Sequence, residues 1–306
     1  MELALFRTRW GTAGSLADFA SEARSAGFDG IESTVPMSSP EQRELGRVRD
    51  DTGMPWIAEI ITGGGYVPER DLELQAHIDD LREGLRNCAP FDPVRVNCIG
   101  GLDAWSNAEV LRFFEAGMET AASLGLELCF ETHRSRCLFH PWRCESILDD
   151  LPELRLTADL SHWCVVAERL MDTEMPTIER IAPHVRHIHA RVGYDQGPQV
   201  PHPAAPEYAR ALASHQRCWE VFWRAQQAGG TGQTTMTPEF GPDGYLHQLP
   251  FTQAPVADLW DVNRWMAEEE RRHFQQWRSG SVVPPAPQPP QPGGPHQPAV
   301  GSETRA

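Results

Sequence analysis

Eight times between Leu3 and Trp277 a short apolar run gives way to a longer amphipathic segment, and this alternation limits the possible folds more than any other feature. "LALF" (3–6) precedes 15–27, "FDGIES" (28–33) precedes 39–53, "PWIAEIIT" (55–62) precedes 71–88, and "VRVNCIGG" (94–101) precedes 107–125. "LELCFETH" (126–133) precedes 141–152, and "LRLTADLSHW" (154–163) precedes 173–183 with room for a short helix between them. "VRHIHARVG" (185–193) precedes 207–228, and "QTTMTPEFGP" (233–242) precedes 254–277. Strands that alternate with helices pair in parallel, because each return to the same end of the sheet needs a crossover. Eight such units over about 275 residues predict an α/β fold, the (β/α)8 TIM barrel. The competing fold, an open doubly wound sheet, carries a glycine fingerprint after its first strand, and "RTRWGTAGS" lacks GxGxxG. From Ser279 the pattern stops, and eight prolines fall between 284 and 298. The expected organisation is therefore a barrel over 1–278 and a disordered Pro-rich tail over 279–306.

Charge and composition exclude several chemistries. The formal net charge of −16 repels phosphate backbones, so no nucleic-acid partner is expected. All 27 basic residues in the Lys+Arg count are Arg, which removes Schiff-base chemistry on a lysine. The seven cysteines form no CxxC pair and are expected to be reduced, buried thiols. No apolar run approaches the ~20 residues of a membrane span, and "MELALFRTRWG" reads as neither a signal nor a transit peptide. The expected location is the cytoplasm, with no membrane partner and a homo-oligomer left open.

In a barrel of this kind the active site lies at the C-terminal ends of the strands. There the fifth to eighth units carry Glu131, Asp159, His189 and Glu239. Strand side chains alternate, so Cys129 shares a face with Glu131, Thr157 with Asp159, and Thr237 with Glu239. Three carboxylates converging on one mouth repel each other unless a cation neutralises them. One divalent metal ion is the expected cofactor, held by Glu131, Asp159, His189 and Glu239. Oxygen-rich ligands with one imidazole suit Mn²⁺ first, with Mg²⁺, Co²⁺ or Zn²⁺ as alternatives. Each residue has a plainer alternative: Asp159 as a helix cap, Glu131 as an ion-pair partner of Arg134 or Arg136, Glu239 as a rim carboxylate. His187, two before His189, is expected to pack deeper on the same face.

The strand ends "FETHR", "ADLSHW", "HIHARVG" and "TPEFGP", with "GFDGIE" (27–32) on the second strand, resemble the xylose isomerase-like TIM barrel superfamily of AP endonuclease family 2 type. The resemblance covers about residues 1–275 and points to its sugar isomerase/epimerase branch. It implies that Glu131 and Glu239 move the proton as base and acid while touching the metal. It also implies that His162 and Arg191 hold substrate oxygens through an enediolate. Arg134, His133, Trp163 and Trp10 are candidate substrate contacts, with a core role as the alternative for the tryptophans, Trp105 included. Arg134 and Arg136 are placed either against an anionic substrate group or in surface ion pairs. The long loop 193–208 is expected to form a lid or wall of the pocket. The expected activity is metal-dependent isomerisation or epimerisation of a small carbohydrate-like substrate: a sugar, keto-polyol or hydroxy-carbonyl acid. The alternatives are a lyase or dehydratase on an oxidised sugar or inosose, an endonuclease, disfavoured by the charge, and a non-catalytic binding module, disfavoured by the paired glutamates.

Overall fold

A computed structural model describes residues 1–242 and 244–280; the expected tail therefore lies, but for its first two residues, outside the described residues. The eight expected strands form: β1 (Glu2–Thr8), β2 (Gly30–Thr34), β3 (Trp56–Ile61), β4 (Arg95–Ile99), β5 (Leu128–Glu131), β6 (Leu156–Ala158), β7 (Val185–His189) and β8 (Gln233–Thr237). They pair in parallel in sequence order, and β8 closes onto β1. The helices around them are α1 (Leu16–Ser25), α2 (Ser39–Thr52), α3 (Leu74–Cys88), α4 (Asn107–Leu124), α5 (Pro141–Asp150), α6 (Leu160–Ala167), α7 (Met175–Ile181), α8 (Ala209–Ala228) and α9 (Leu259–Ser279). The fold is the (β/α)8 barrel.

Local chemistry sets the element ends. Ser38 and Ser106 head capping boxes with Glu41 and Glu109, which satisfies backbone donors that open α2 and α4. Gly53 and Gly125 end the same helices at φ of 63° and 70°, a conformation that a β-carbon disfavours and that so falls to glycine. The helices pack their apolar stripes on the outward faces of the strands. On α3 the stripe is Ile78, Leu81 and Leu85, each at most 5% exposed and each worth about 1.5–3 kcal/mol relative to exposure.

The barrel interior is built differently. A small apolar plug of Ala4, Phe6 and Ile57 fills part of it. The inward row of β3 continues from Ile57 to Glu59, with Glu32 of β2 in register with Ile57 and Asn97 of β4 in register with Glu59. Toward the C-terminal ends of the strands the interior therefore changes from apolar to polar, where a (β/α)8 barrel carries its chemistry.

The sixth unit departs from expectation. The strand stops at Ala158, and α6 starts at Leu160 with Asp159 as its N-cap. The segment 159–163, expected to finish a strand, instead opens a helix, because the Asp159 side chain accepts from the Ser161 backbone N–H at 2.9 Å.

Candidate active site

Glu131, Asp159, His189 and Glu239 come together. Each is buried and offers one ligand atom within 4.8 Å of the others. The inward rows Cys129–Glu131, Thr157–Asp159, His187–His189 and Thr237–Glu239 deliver them from four neighbouring strands. The His189 Nδ1 atom lies 3.0 Å from Glu239 and 3.4 Å from Glu131, yet makes no hydrogen bond to either. Glu131 Oε1 is likewise buried without a partner. Two orphaned buried atoms beside further carboxylate oxygens are what a hard divalent cation, in place of a proton, would satisfy. The residues thus fit such an ion. Burial works against a proton on His189, but the Glu239, Glu32 and Glu131 charges overcome it and raise its pKa well above the ordinary range. The same negative field attracts a metal ion.

The surrounding contacts orient these groups. His189 donates from Nε2 to Glu32 Oε1 at 3.0 Å, which leaves Nδ1 free toward the cluster. Glu32 also accepts from Thr237 Oγ1 and lies 3.3 Å from His187 Nε2, while His187 Nδ1 meets Thr235 Oγ1 at 2.8 Å. The Asn97 amide donates to Glu131 Oε2 at 2.8 Å. Asp159 divides its oxygens: Oδ1 serves the Ser161 backbone and hydroxyl, and Oδ2 takes the Arg191 guanidinium at 2.5 Å. Arg191 also donates to Ser161 Oγ at 3.0 Å and lies 3.6 Å from Glu239. Asp159 is thus both the helix cap of the plain alternative and a member of the cluster. Burial raises its carboxyl to about 6, against the opposing pull of Arg191.

Above this floor a cavity opens toward solvent. Trp10, Tyr66 and Tyr245 form an aromatic wall, with Trp10 edge-on to Tyr245 at 5.2 Å. A β-carbon on Gly241 would fall 1.9 Å from the Trp10 ring, so glycine there makes room for that ring. Ile61 and Ile99 give an apolar side, and Glu59, Glu131, His133, Arg191 and Glu239 supply the polar groups. His133 lines the cavity, its ring 3.8 Å from that of His162 beneath it. Burial strips the proton from both rings; His133 falls to about 3 and His162 falls well below its usual range.

Several expectations need correction. Trp163 is fully buried and donates its indole N–H to the Leu138 carbonyl at 2.8 Å, so it is a core residue; α6 begins early enough to turn it away from the mouth. Trp105 packs on His77 and Phe113 in the core. Arg136 is buried and donates to the carbonyls of Thr62, Gly101 and Gly65, so it reaches neither a substrate nor a surface acid. Arg134 lies over the Tyr245 ring at 4.9 Å, beside the cavity rather than on its wall. His162 is fully buried, and His133 rather than His162 faces the cavity. Loop 193–208 supplies no cavity wall; its Gln199 braces Gly241 through two hydrogen bonds. Sequence reasoning missed Glu32, Glu59, Asn97, Tyr66 and Tyr245. The first three carry a usable signal, since strand alternation points them inward.

Comparison with known proteins agrees with this geometry at the level of fold. No curated protein sequence matches this one. Among solved structures, L-ribulose 3-epimerase superposes with a TM-score of 0.61 at 14% identity, covering 92% of this chain and 97% of that one. D-allulose 3-epimerase from Methylomonas sp. gives 0.60 at 12% identity, covering 89% and 97%. Endonuclease IV from Thermus thermophilus gives 0.56 at 12% identity, covering 90% and 100%. Residues 20–199 match the family described as xylose isomerase-like TIM barrel, and the chain belongs to that family.

Proposed function

We propose that this protein is a divalent-metal-dependent isomerase or epimerase acting on a small hydroxy-carbonyl sugar. The observation that carries the reading is the set of four buried ligand atoms within 4.8 Å at the floor of a cavity, with Glu131 Oε1 and His189 Nδ1 unpartnered. The epimerase neighbours support it, as does a net charge that disfavours polyanionic substrates.

Glu131, Asp159, His189 and Glu239 would hold the ion, with Mn²⁺ the first candidate. When bound, such an ion draws electron density from a substrate carbonyl and acidifies the neighbouring C–H. Glu131 and Glu239 both line the cavity and come from strands β5 and β8, separated by β6 and β7. That separation suits them to act on two sides of one carbon, one taking the proton and the other returning it. The enediolate left between these steps carries negative charge, which the Arg191 guanidinium on the cavity wall is placed to stabilise. His162 Nε2 lies 2.6 Å from Arg191, so His162 acts by holding Arg191 rather than by touching substrate. His133 supplies an uncharged imidazole to the substrate side.

Metal analysis tests the proposal. Protein purified without added metal and then supplied with Mn²⁺ is expected to bind one ion per chain, and Asp159→Ala to bind none. The loaded protein is then expected to exchange a carbon-bound proton of L-ribulose or D-allulose with D₂O. A dehydrated product would reassign the chemistry to a lyase, and failure of the wild type to bind metal would refute the proposal.

A further inference from the structure

Five acidic side chains point into the mouth of this barrel, and four of them are committed. Glu32 accepts from His189, Glu131 from Asn97, Asp159 from Ser161 and Arg191, and Glu239 sits against His189. The fifth, Glu59 on β3, makes no hydrogen bond or ion pair with any described residue. Its inward position follows from the β3 row Ile57, Glu59, Ile61 and from its register opposite Asn97. It lines the cavity beside Ile61 and Ile99, yet it does not join the group within metal-ligand distance.

Burial, together with the charges of Glu239, Glu32 and Glu131, pushes the Glu59 carboxyl well above the ordinary range. Half-buried at the cavity, Glu59 interrupts the apolar surface of Ile61 and Ile99 with a carboxylate. A carboxylate with no hydrogen-bond partner among the described residues, facing a cavity beside reactive groups, marks a binding role.

The cations of the site narrow what Glu59 binds. Arg191 is bound to Asp159 and Ser161, Arg136 is engaged by three carbonyls, and Arg134 lies over Tyr245 off the cavity wall. Among the described residues the cavity wall offers one cation, Arg191, which the enediolate charge takes up, so none is left for a substrate carboxylate or phosphate, and Glu59 opposes either. We infer that Glu59 is a substrate-contact residue that hydrogen-bonds a hydroxyl of an uncharged polyhydroxy ketone, on the β3–β4 side of the cavity away from the metal ligands. This rests on the proposed isomerase or epimerase chemistry and selects, among hydroxy-carbonyl compounds, the neutral ketoses over the keto acids.

Glu59→Leu and Glu59→Gln, each loaded with Mn²⁺, test the inference against wild type with D-allulose as the probe. Glu59→Leu is expected to bind one ion per chain, to melt no lower than wild type, and to raise KM about tenfold with a smaller change in kcat, as loss of one hydrogen bond does. Glu59→Gln keeps a donor and an acceptor and is expected to restore KM to within about threefold. An unchanged KM in Glu59→Leu, or a lower melting temperature with loss of the ion, overturns the inference while the wild-type activity stands. A wild type that exchanges a carboxylate-bearing hydroxy-ketone but no neutral ketose also overturns it, leaving the proposed chemistry intact. A wild type that exchanges neither overturns both.

Discussion

Replacing Glu32 by leucine removes the hydrogen bond to His189 together with the Glu32 contacts to Thr237 and His187. Glu32 is 1% exposed, and its Oε1 accepts from His189 Nε2 at 3.0 Å. Leucine keeps the bulk but leaves that N–H without an acceptor, a buried loss of about 1–3 kcal/mol in stability. It also frees the ring to rotate or to move its proton onto Nδ1, the nitrogen that faces Glu131 and Glu239. Loss of a carboxylate behind a ligating histidine typically weakens metal binding 10–100-fold, or about 1.4–2.7 kcal/mol. The effect appears in thermal or urea unfolding with Mn²⁺. At a metal concentration 100 times the wild-type Kd, the ion stabilises wild type by about 2.7 kcal/mol, and a 10–100-fold weaker variant by only about 1.4–0.4 kcal/mol. Glu32→Gln is expected to do better. Its amide oxygen can face His189 while its NH₂ turns to His187, whose imidazole passes its proton to Nδ1 beside Thr235 Oγ1. Wild-type metal affinity in Glu32→Leu would refute the orienting role. An affinity in Glu32→Gln as low as in Glu32→Leu would show that charge, and not the hydrogen bond, is what matters.

Two further outcomes follow from the geometry. Trp163→Phe removes the indole N–H bonded to the Leu138 carbonyl and some core volume. It is expected to cost about 1–3 kcal/mol in unfolding experiments with metal content and KM unchanged, and a raised KM at unchanged stability would return Trp163 to the binding wall. His273, buried between Glu220 and Glu270, is lowered by burial but raised further by its hydrogen bonds to both carboxylates, to about 9. With a folded pKa above the unfolded one, its stabilisation is full below about pH 6.5 and is lost as pH rises through about 9. The loss is of order 3 kcal/mol. His273→Gln should therefore be less stable than wild type near pH 6 and nearly equal to it near pH 10; a gap that does not change with pH would refute this assignment.

The barrel and the four clustered residues were legible because both depend on local periodicity. Alternation within a strand put Glu131, Asp159, His189 and Glu239 on inward rows, and the strand–helix rhythm put them at one end. Glu32 was harder to see, because its partner is 157 positions away and only closure of the barrel brings β2 within reach of β7. Glu59 and Asn97 carry the same inward signal, but they sit on the half of the barrel without a ligand motif. Trp163 was misplaced for another reason. Trp163 follows an aspartate that is at once a helix cap and a site residue, and a helix begun at Leu160 aims its side chains differently from a strand running on to 163. The Pro-rich loop 193–208 read as a pocket wall from composition, whereas its Gln199 braces the loop after β8 instead.

The join between β6 and α6 has a consequence for how this site can change over generations. Asp159 alone separates the two elements, so this point on the rim has no loop in which to accept an insertion. Any lengthening there would displace the Asp159 carboxylate and uncap α6 together. The segments after β3 (62–73) and after β8 (238–258) are long, and they contribute Tyr66 and Tyr245 to the cavity wall. Drift in substrate preference is thereby channelled away from the β6–α6 join, which its own shortness holds fixed, and toward the longer connections.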